Sequence, residues 1–343
     1  MNKKIQSGNE LSYGLLKHSQ NNHGLVNIGD HIQSCAAEQF MPRIDRYVER
    51  DKLNCDINKP TKIILNGWFT DSPKNWPPNP KLIPLFISFH LQPKSAEIIF
   101  KKKENIDYLK KFSPIGCRDY QTIKLLNKVG ISTYFSFCLT STLGLKYSSK
   151  KRGDKIYLVD PLYTNDFRAI SQLSLKSLIT SPPIKKIHKL KEYLFPKRKI
   201  DGYLPQEIIK KGEMINHYVR ANKSNKELYT LAKKYLKKYA KAKLVITSRI
   251  HCALPCLALN TPVLFLYDGL FDENQHMARL RGILDHMNIL TTQNKDEINE
   301  LFGKEMNVFH PKDIDWDNPP KNPASHEEFA KDLQARCEDF IKN

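Results

Sequence analysis

Short apolar segments alternate with amphipathic segments along most of the chain. Ser12–Leu16, Ile63–Leu65 and Leu85–Phe89 each have the length and composition of a buried strand. The stretches between such segments have apolar residues at helical spacing. One example is the predicted helix at about Tyr120–Lys128, which Gly130 terminates. Strands and helices in alternation predict an α/β protein with mostly parallel sheets.

A charged, polar break at Ser148–Gly153 separates two alternating series of this kind. The remaining predicted strands are Pro114–Cys117, Thr133–Phe137, Ile156–Val159, Met214–Val219, Lys243–Thr247 and Pro262–Leu266, and the remaining predicted helices are about Lys226–Tyr239 and about His326–Ile341. Domains commonly contain about 100–200 residues. The sequence therefore predicts an N-terminal domain over 1–150, a second domain over 151–320, and a C-terminal helix within 321–343.

The excess of basic residues restricts the kinds of partner. The formal net charge of +19 favours nucleic acid, an anionic membrane surface or a phosphate-bearing substrate. A lysine-rich solvated surface explains the same excess. The basic segment 181–199 carries apolar residues between its charges, so we interpret it either as a surface helix or as a helix that faces a membrane or a substrate.

The cysteine content and the lack of long apolar runs indicate the compartment. Seven scattered cysteines, an odd number, are typical of free thiols in a reducing environment. No apolar run approaches the roughly 20 residues of a membrane span, and the N-terminal residues lack the apolar region of a signal peptide. We expect a cytoplasmic protein. Because the sequence has no phosphate-binding loop and no dinucleotide-binding glycine motif, we expect neither a cofactor nor a metal ion.

The junction at Ser248–His251 carries the most informative chemistry. A buried strand ends at Thr247, the chain turns sharply, and an apolar helix follows. Open α/β sheets bind ligands at the carboxyl ends of their strands, and a helix start offers unpaired N–H groups and a positive dipole end. Arg249 and His251 add a planar cation and a titratable donor beside Ser248, which predicts an anion site. The alternative is a structural ion pair for Arg249 and a mere helix start for His251.

A second junction of this type contains Arg118 and Asp119. Asp119 is suited to cap the helix that follows, and Arg118 is the candidate second cation. In a third segment, Gly29 allows a tight turn, Asn27 is a candidate contact for a sugar, and Asp30 is predicted to cap a helix.

Asn66 and His90 are weaker candidates. Both are predicted to follow strands, so both are positioned to reach the same ligand-binding edge. For His90, a hydrogen-bonded surface histidine without a role in binding is an equal alternative.

Three of these segments resemble motifs of the polysaccharide pyruvyltransferase family. Asn27–Gln33 is similar to its N-terminal Asn-x-Gly-Asp loop and helix, and Ile115–Asp119 is similar to its central Arg-Asp motif. Leu244–Val263 is similar to its Thr/Ser-Arg-Leu-His signature, with Ile250 in place of the usual Leu. The resemblance spans about residues 12–290.

The resemblance implies a fold like that of the GT-B glycosyltransferases, in which two Rossmann-like domains face each other across a cleft. It implies a phosphoenolpyruvate donor on the second domain and, on the first, a sugar acceptor from a surface polysaccharide, often carried on a lipid. Carried over by position, Arg249 and His251 match the family's donor-site Arg and His, and Arg118 matches its central Arg. The expected donor-binding residues are Arg118, Ser248 and Arg249, and the acceptor or cleft candidates are Asn27, Asp30, Asn66 and His90.

The resulting hypothesis is a transferase that joins the pyruvyl group of phosphoenolpyruvate to two hydroxyls of one sugar as a ketal, with His251 as general acid. Phosphoenolpyruvate is a co-substrate, and contact with the inner face of an anionic membrane is an expected partner interaction. The alternative is a GT-B-type glycosyltransferase that uses a sugar nucleotide. A nucleic-acid-binding protein is a third hypothesis, but the sequence lacks aromatic–basic RNA motifs and a recognisable DNA-reading helix, so no nucleic-acid partner is expected.

Overall fold

The computed structural model describes residues 11–19, 24–162, 200–270 and 279–343, and the basic segment 181–199 lies outside them. The described residues form two compact units. The first unit contains residues 11–19, 33–139 and 328–343, and the second contains residues 24–32, 140–162, 200–270 and 279–327.

Strands and helices alternate in the structure as the sequence pattern predicts. In chain order the strands are β1 (Ser12–Lys17), β2 (Leu25–Asn27), β3 (Arg46–Glu49), β4 (Thr61–Phe69), β5 (Leu82–Leu91), β6 (Ile115–Cys117), β7 (Thr133–Phe135), β8 (Ile156–Val159), β9 (Glu213–Ile215), β10 (Tyr218–Arg220), β11 (Leu244–Thr247), β12 (Val263–Leu266), β13 (Asn288–Leu290) and β14 (Val308–Phe309). The helices are α1 (Ile28–Glu38), α2 (Pro93–Ile99), α3 (Lys103–Lys111), α4 (Tyr120–Asn127), α5 (Gly144–Tyr147), α6 (Gln206–Lys211), α7 (Asn225–Ala240), α8 (Ile250–Ala258), α9 (Lys295–Phe302) and α10 (Glu327–Lys342).

The first unit is built on a six-stranded sheet in the order β3-β1-β4-β5-β6-β7, and every pair in it is parallel. Its longest pair, β4 with β5, runs from Thr61 opposite Leu82 to Phe69 opposite Leu91. The core beneath it is rich in aromatic rings in tilted and edge-on contact, with Phe69 and Phe89 centroids 4.9 Å apart. Strands buried on both faces need such continuous apolar runs.

Strands β4 and β5 both extend further than the sequence predicts. Asn66 and His90, which are predicted to follow strands, lie inside β4 and β5. The register shifts between Leu65 and Gly67, so Asn66 sits at an irregularity in the pairing. These polar residues end an apolar run, but their hydrogen bonds to other parts of the first unit allow the strand to continue through them.

The second unit is built on another six-stranded parallel sheet, in the order β14-β13-β12-β11-β8-β9. The single predicted strand Met214–Val219 is wrong, because the structure divides it into β9 and β10. Only β9 belongs to this sheet, and β10 pairs antiparallel with β2. The chain turns out of the sheet between them at His217, whose carbonyl accepts the N–H of Ile28.

Each unit is formed by separate segments of the chain, so no single position in the sequence divides the two. Helix α10 packs on the first unit, where Phe329 stacks on Phe137 at 5.4 Å and the guanidinium of Arg336 lies 4.3 Å from the Tyr134 ring centroid. Residues 140–147 precede the predicted break but belong to the second unit, where Gly144 closely approaches the carbonyl oxygen of Ala258. The arrangement within each unit, a parallel sheet with helices, is consistent with a Rossmann-like domain.

Parallel strands bring the residues that follow them to one edge of a sheet. In the second unit that edge collects residues after β8, β9 and β11, and in the first it collects residues around the ends of β4, β5 and β6. Within the part of the chain that the structure describes, no helix has the length and apolarity required to cross a bilayer.

Candidate functional site

The strand-to-helix junction after β11 has the sharp turn that the sequence predicts. The Thr247 hydroxyl donates to the carbonyl of Val159 at 2.7 Å and accepts the N–H of Arg249 at 3.0 Å, so it folds the chain back on itself. Helix α8 begins at Ile250 with Arg249 in the N-cap position. His251 departs from helical geometry, with ψ at 16°. The turn therefore sets a guanidinium and an imidazole at the start of a helix.

The Ser248 hydroxyl makes two hydrogen bonds to backbone groups. It donates to the carbonyl of Leu266 at 2.6 Å and accepts the N–H of Leu162 at 3.0 Å. These bonds tie the junction to the end of β12 and to the loop after β8. The side chain has a structural role, and donor binding by Ser248 stays a prediction.

Arg249 is held by an ion pair with Asp160, which is the alternative that the sequence left open for this residue. Its Nε lies 3.0 Å from Asp160 Oδ2, and its Cζ lies 4.9 Å from the ring centroid of Tyr218. The Arg249 side chain is 9% exposed and that of Asp160 is 1% exposed, so the pair is buried. A guanidinium has five N–H donors, one on Nε and two on each of Nη1 and Nη2. The bond to Asp160 uses the N–H of Nε, which is separate from the end-on fork of Nη1 and Nη2.

Asp160 was missed by the sequence analysis. It follows β8, the neighbour of β11, and its Oδ2 also accepts the backbone N–H of His217 at 3.2 Å. Its carboxylate thus joins the ends of three adjacent strands, β9, β8 and β11. A carboxylate directly after a buried strand was the available signal, but the sequence did not reveal that β8 and β11 are neighbours.

The Asn27–Asp30 segment, which contains the candidates Asn27 and Asp30, lies against His251 at Gly29. A Cβ added to Gly29 would lie 3.2 Å from His251 Cβ and 3.4 Å from His217 Nδ1, so the absence of a side chain at Gly29 permits this approach. Asn27 Oδ1 accepts the N–H of Gly29 at 3.0 Å.

The predicted capping role of Asp30 is wrong. Helix α1 begins at Ile28, so Asn27 takes the N-cap position and Asp30 lies in the first turn. The side chain of Asn27 is better placed than that of Asp30 because it precedes the first helical residue and reaches the N–H of Gly29. Asp30 instead accepts from Asn27 Nδ2 at 3.4 Å, and its carboxylate still suits the positive end of the helix.

Behind the junction lies a buried aromatic layer that the sequence did not indicate. His217 Nε2 lies 2.8 Å from the Tyr239 hydroxyl, and the His217 ring stacks on Tyr235 at 5.9 Å. Cys252 and Cys256 are buried in α8. None of the seven cysteines, all of which the structure describes, forms a disulfide.

In the first unit, Arg118 is buried beside a neutral amide. Its Nη1 donates to Gln33 Oε1 at 3.1 Å. Gly67 has a φ of 108°, and a Cβ there would lie 2.6 Å from the same oxygen. Asn66 Nδ2 donates to the Gln33 carbonyl at 2.9 Å, while Asn66 Oδ1 is buried with no hydrogen-bond partner in the described chain. Gln33 thus connects two of the candidates, Arg118 and Asn66.

His90 is paired with a buried carboxylate. Its Nδ1 lies 2.6 Å from Asp119 Oδ2, and Asp119 Oδ1 accepts the N–H of Thr122 at 2.8 Å as the predicted cap of α4. Complete burial acts to raise the pKa of Asp119, but the contacts with His90 and Thr122 and the charge of Arg118 outweigh it, so this pKa is lowered. Asp119 therefore remains ionised and fixes the orientation of the His90 ring.

The candidates thus fall into two groups. Asn27, Asp30, Ser248, Arg249 and His251 belong to the second unit, and Asn66, His90 and Arg118 belong to the first. Among the described residues, no group of three or more His, Cys, Asp or Glu side chains is arranged to hold a metal ion.

Comparisons with known proteins connect these groups to one family. A family model described as polysaccharide pyruvyl transferase matches residues 27–268. Among the curated proteins, none matches the sequence. One similar solved structure is a crystal structure of a functionally uncharacterised protein from Klebsiella pneumoniae subsp. pneumoniae NTUH-K2044, with 13% sequence identity and a TM-score of 0.42 over 80% of this chain and 88% of that chain. The family match includes all three motif segments.

Proposed function

This chain belongs to the polysaccharide pyruvyl transferase family, and from that premise we propose that its donor is phosphoenolpyruvate and its acceptor a sugar of a surface polysaccharide or of its lipid-linked precursor. Family membership makes the protein a transferase of pyruvyl groups to polysaccharide. The observation that carries the finer proposal is the junction after β11. There an anchored guanidinium, an imidazole and the first N–H groups of α8 occur together at the carboxyl edge of a parallel sheet.

The chemistry requires a proton donor and a site for a three-carbon dianion. The enol carbon of phosphoenolpyruvate gains a proton and becomes a methyl group, which leaves positive charge at C2. One sugar hydroxyl attacks C2, inorganic phosphate leaves, and the second hydroxyl closes the ketal. The two hydroxyl protons balance the proton gained by carbon and the proton taken by phosphate, so no oxidant or water is consumed.

His251 is suited to deliver the proton. An imidazole has its ordinary pKa near 6.5, close to working pH, which is the condition under which general acid catalysis is most effective. His251 lies in the first turn of α8, where its backbone departs from helical geometry. Packing against Gly29 fixes the backbone position of His251.

Arg249 is suited to bind the donor carboxylate or phosphate. Asp160 and the ring of Tyr218 hold the guanidinium from two sides, so its orientation is set before the donor arrives. A preset orientation reduces the entropy lost on binding. Donor binding by Arg118, acceptor contacts by Asn27, Asp30, Asn66 and His90, and a GT-B-like arrangement of the domains remain predictions.

The decisive experiment incubates the purified chain with phosphoenolpyruvate and a panel of lipid-linked and lipid-free sugars. Mass spectrometry then detects the pyruvyl ketal, and a phosphate assay measures the released phosphate in equal amount. A folded His251→Ala variant serves as the inactive control. Phosphate release without sugar modification, or modification that persists in the control, would contradict the assignment.

A thermal-shift panel separates the proposal from a sugar-nucleotide enzyme of similar architecture. Phosphoenolpyruvate is expected to raise the melting temperature progressively as its concentration increases above its Kd, because a ligand that binds only the folded state stabilises it. Stabilisation by UDP-, GDP- or CMP-sugars, with none by phosphoenolpyruvate, would favour the glycosyltransferase.

A further inference from the structure

Helix α7 of the second unit has one face that is rich in lysine. Its buried face consists of apolar and aromatic residues such as Leu228, Ala232 and Leu236. The opposite face carries exposed lysines at positions 226, 234 and 237, with Thr230 between the first two, and Lys241 follows directly after the helix. We call these four lysines, together with Lys151 and Lys155, the basic face.

A surface pocket of about 510 Å³ lies on the basic face, near the end of α7. The residues that line it are Lys151, Arg152, Gly153, Lys155, Tyr157, Lys234, Lys237, Lys238 and Lys241. Seven of these nine lining residues carry positive charge, and none of the nine is acidic. A second pocket at the start of α7 shares Lys234 and is also lined by Lys223, Lys226, Glu227, Thr230 and Leu231, so three lysines and one acidic residue lie at this end of the helix.

The stability of α7 does not explain this arrangement. Lys233 with Lys237, and Lys234 with Lys238, are like charges four residues apart, which destabilise a helix by a few tenths of a kcal/mol per pair. The helix itself contains one acidic residue, Glu227, which is engaged in the capping box with Ser224. Glu213 pairs with Lys238 at 2.5 Å and offsets a single charge.

Helix α10 of the first unit has the same length but a different charge pattern. It mixes acidic and basic residues and contains an Arg336–Asp332 pair at i,i+4 spacing. A solvated helix therefore does not need a one-sign face in this protein. The basic face concentrates a charge that an external anion is suited to neutralise.

We propose that the basic face docks on the anionic surface of a lipid membrane, independently of which donor the enzyme uses. A helix of 16 residues extends for about 24 Å, and the basic face reaches from Lys226 in its first turn to Lys241 just after its end. Lysine is a strongly hydrated point charge that attracts phosphate head groups without a fixed geometry.

The aromatic residues of α7 argue against a nucleic acid as the occupant. Single-stranded nucleic acids are held by exposed aromatic rings on which their bases stack. Tyr229 and Tyr239 of α7 are buried, and Tyr235 stacks on His217. The face therefore offers charge but no stacking platform along the helix.

The test compares two variants that lose the same charge. One carries Lys226→Gln, Lys234→Gln, Lys237→Gln and Lys241→Gln on the basic face. The control carries Lys101→Gln, Lys103→Gln, Lys124→Gln and Lys128→Gln, which are exposed lysines of the first unit. Thermal unfolding verifies that both variants remain folded.

Binding of the full-length chain is measured by co-sedimentation with vesicles of phosphatidylcholine alone and of phosphatidylcholine with phosphatidylglycerol. Each lysine near an anionic surface contributes about fivefold to binding, so we expect the basic-face variant to bind the anionic vesicles more than tenfold more weakly. The control is expected to change by about twofold or less, and added salt is expected to weaken wild-type binding.

Equal losses in the two variants would show that net charge alone drives the binding, and would overturn the proposal. So would binding to neutral vesicles that matches binding to anionic ones. Tighter binding to a single-stranded oligonucleotide than to anionic vesicles, lost in the basic-face variant, would replace the membrane with a nucleic acid.

Discussion

The two parallel sheets each hold an arginine near their carboxyl edge, but they hold it by different means. In the first unit Arg118 donates to the neutral amide of Gln33, and the nearby carboxylate of Asp119 accepts hydrogen bonds from His90 and Thr122. In the second unit Arg249 is ion-paired directly with Asp160. An amide orients a guanidinium without opposing its charge, whereas a carboxylate orients it and cancels the charge. In the second unit the pair of Arg249 with Asp160 therefore has a fixed geometry but no net charge.

The largest expected effect concerns the two histidines at these edges. We expect His251→Ala to lower turnover by about 10²–10⁴-fold, because it removes the proposed proton donor. His90→Ala is expected to act mainly on the KM for the acceptor, because Asp119 holds that ring in place. Steady-state kinetics with both substrates varied measures this difference. A larger loss of turnover in His90→Ala would transfer the acid role to the first unit.

The second effect concerns the ion pair itself. Asp160→Asn keeps the shape and suits the positive φ of 38° at this position, but it leaves Arg249 buried without its counter-charge. Removing one partner of a buried pair costs about 3–5 kcal/mol in the free energy of unfolding. Gln33→Leu, which removes the neutral partner of Arg118, is expected to cost about 1–3 kcal/mol. Urea unfolding at neutral pH compares the free energies of unfolding of the two variants. Equal losses would mean that the two arginines are held alike.

The sequence predicted these arginines but not their partners. Strand-to-helix junctions have a local signature, so both Arg118 and the Ser248–His251 turn were found from short segments. Asp160 and Gln33 lie 89 and 85 residues from the arginines that they contact. Which strand lies beside which is decided by the packing of the whole sheet, and no local pattern contains that information.

The same reasoning explains the errors in the strands. An apolar run predicts the centre of a strand, but its ends depend on whether polar residues find partners there. His90 continues β5 because Asp119 accepts its Nδ1–H, and the predicted strand Met214–Val219 divides because its second half pairs with β2. The capping error at Asp30 is local, since Asn27 was an equally good cap by composition.

A third prediction concerns a buried histidine of the second unit that has a different environment from His90. His31 packs edge-on against Tyr229 at 5.2 Å, and burial lowers its pKa to about 4. The unfolded chain binds this proton near pH 6.5. Between these two values the unfolded state holds more protons, so stability falls as the pH falls, by about 3 kcal/mol over the interval. Urea unfolding from pH 7 to pH 4 measures it, and His31→Gln is expected to flatten this part of the profile.

The smallest effect tests how the amide of Gln33 is seated beside Arg118. Gly67→Ala introduces both a strained backbone at a φ of 108° and a Cβ that would lie 2.6 Å from Gln33 Oε1. Gly303→Ala is the matched control, because its φ of 67° is also positive but no atom lies within 4 Å of the added Cβ. We expect the control to lose about 1 kcal/mol from backbone strain alone, and Gly67→Ala to lose about 2–3 kcal/mol in the free energy of unfolding. The difference reports the collision with the amide together with the greater backbone strain at a φ of 108°. If donor binding uses Arg118, the KM for phosphoenolpyruvate rises in Gly67→Ala and stays constant in Gly303→Ala; a collision cost without a change in that KM would confine Arg118 to a structural role.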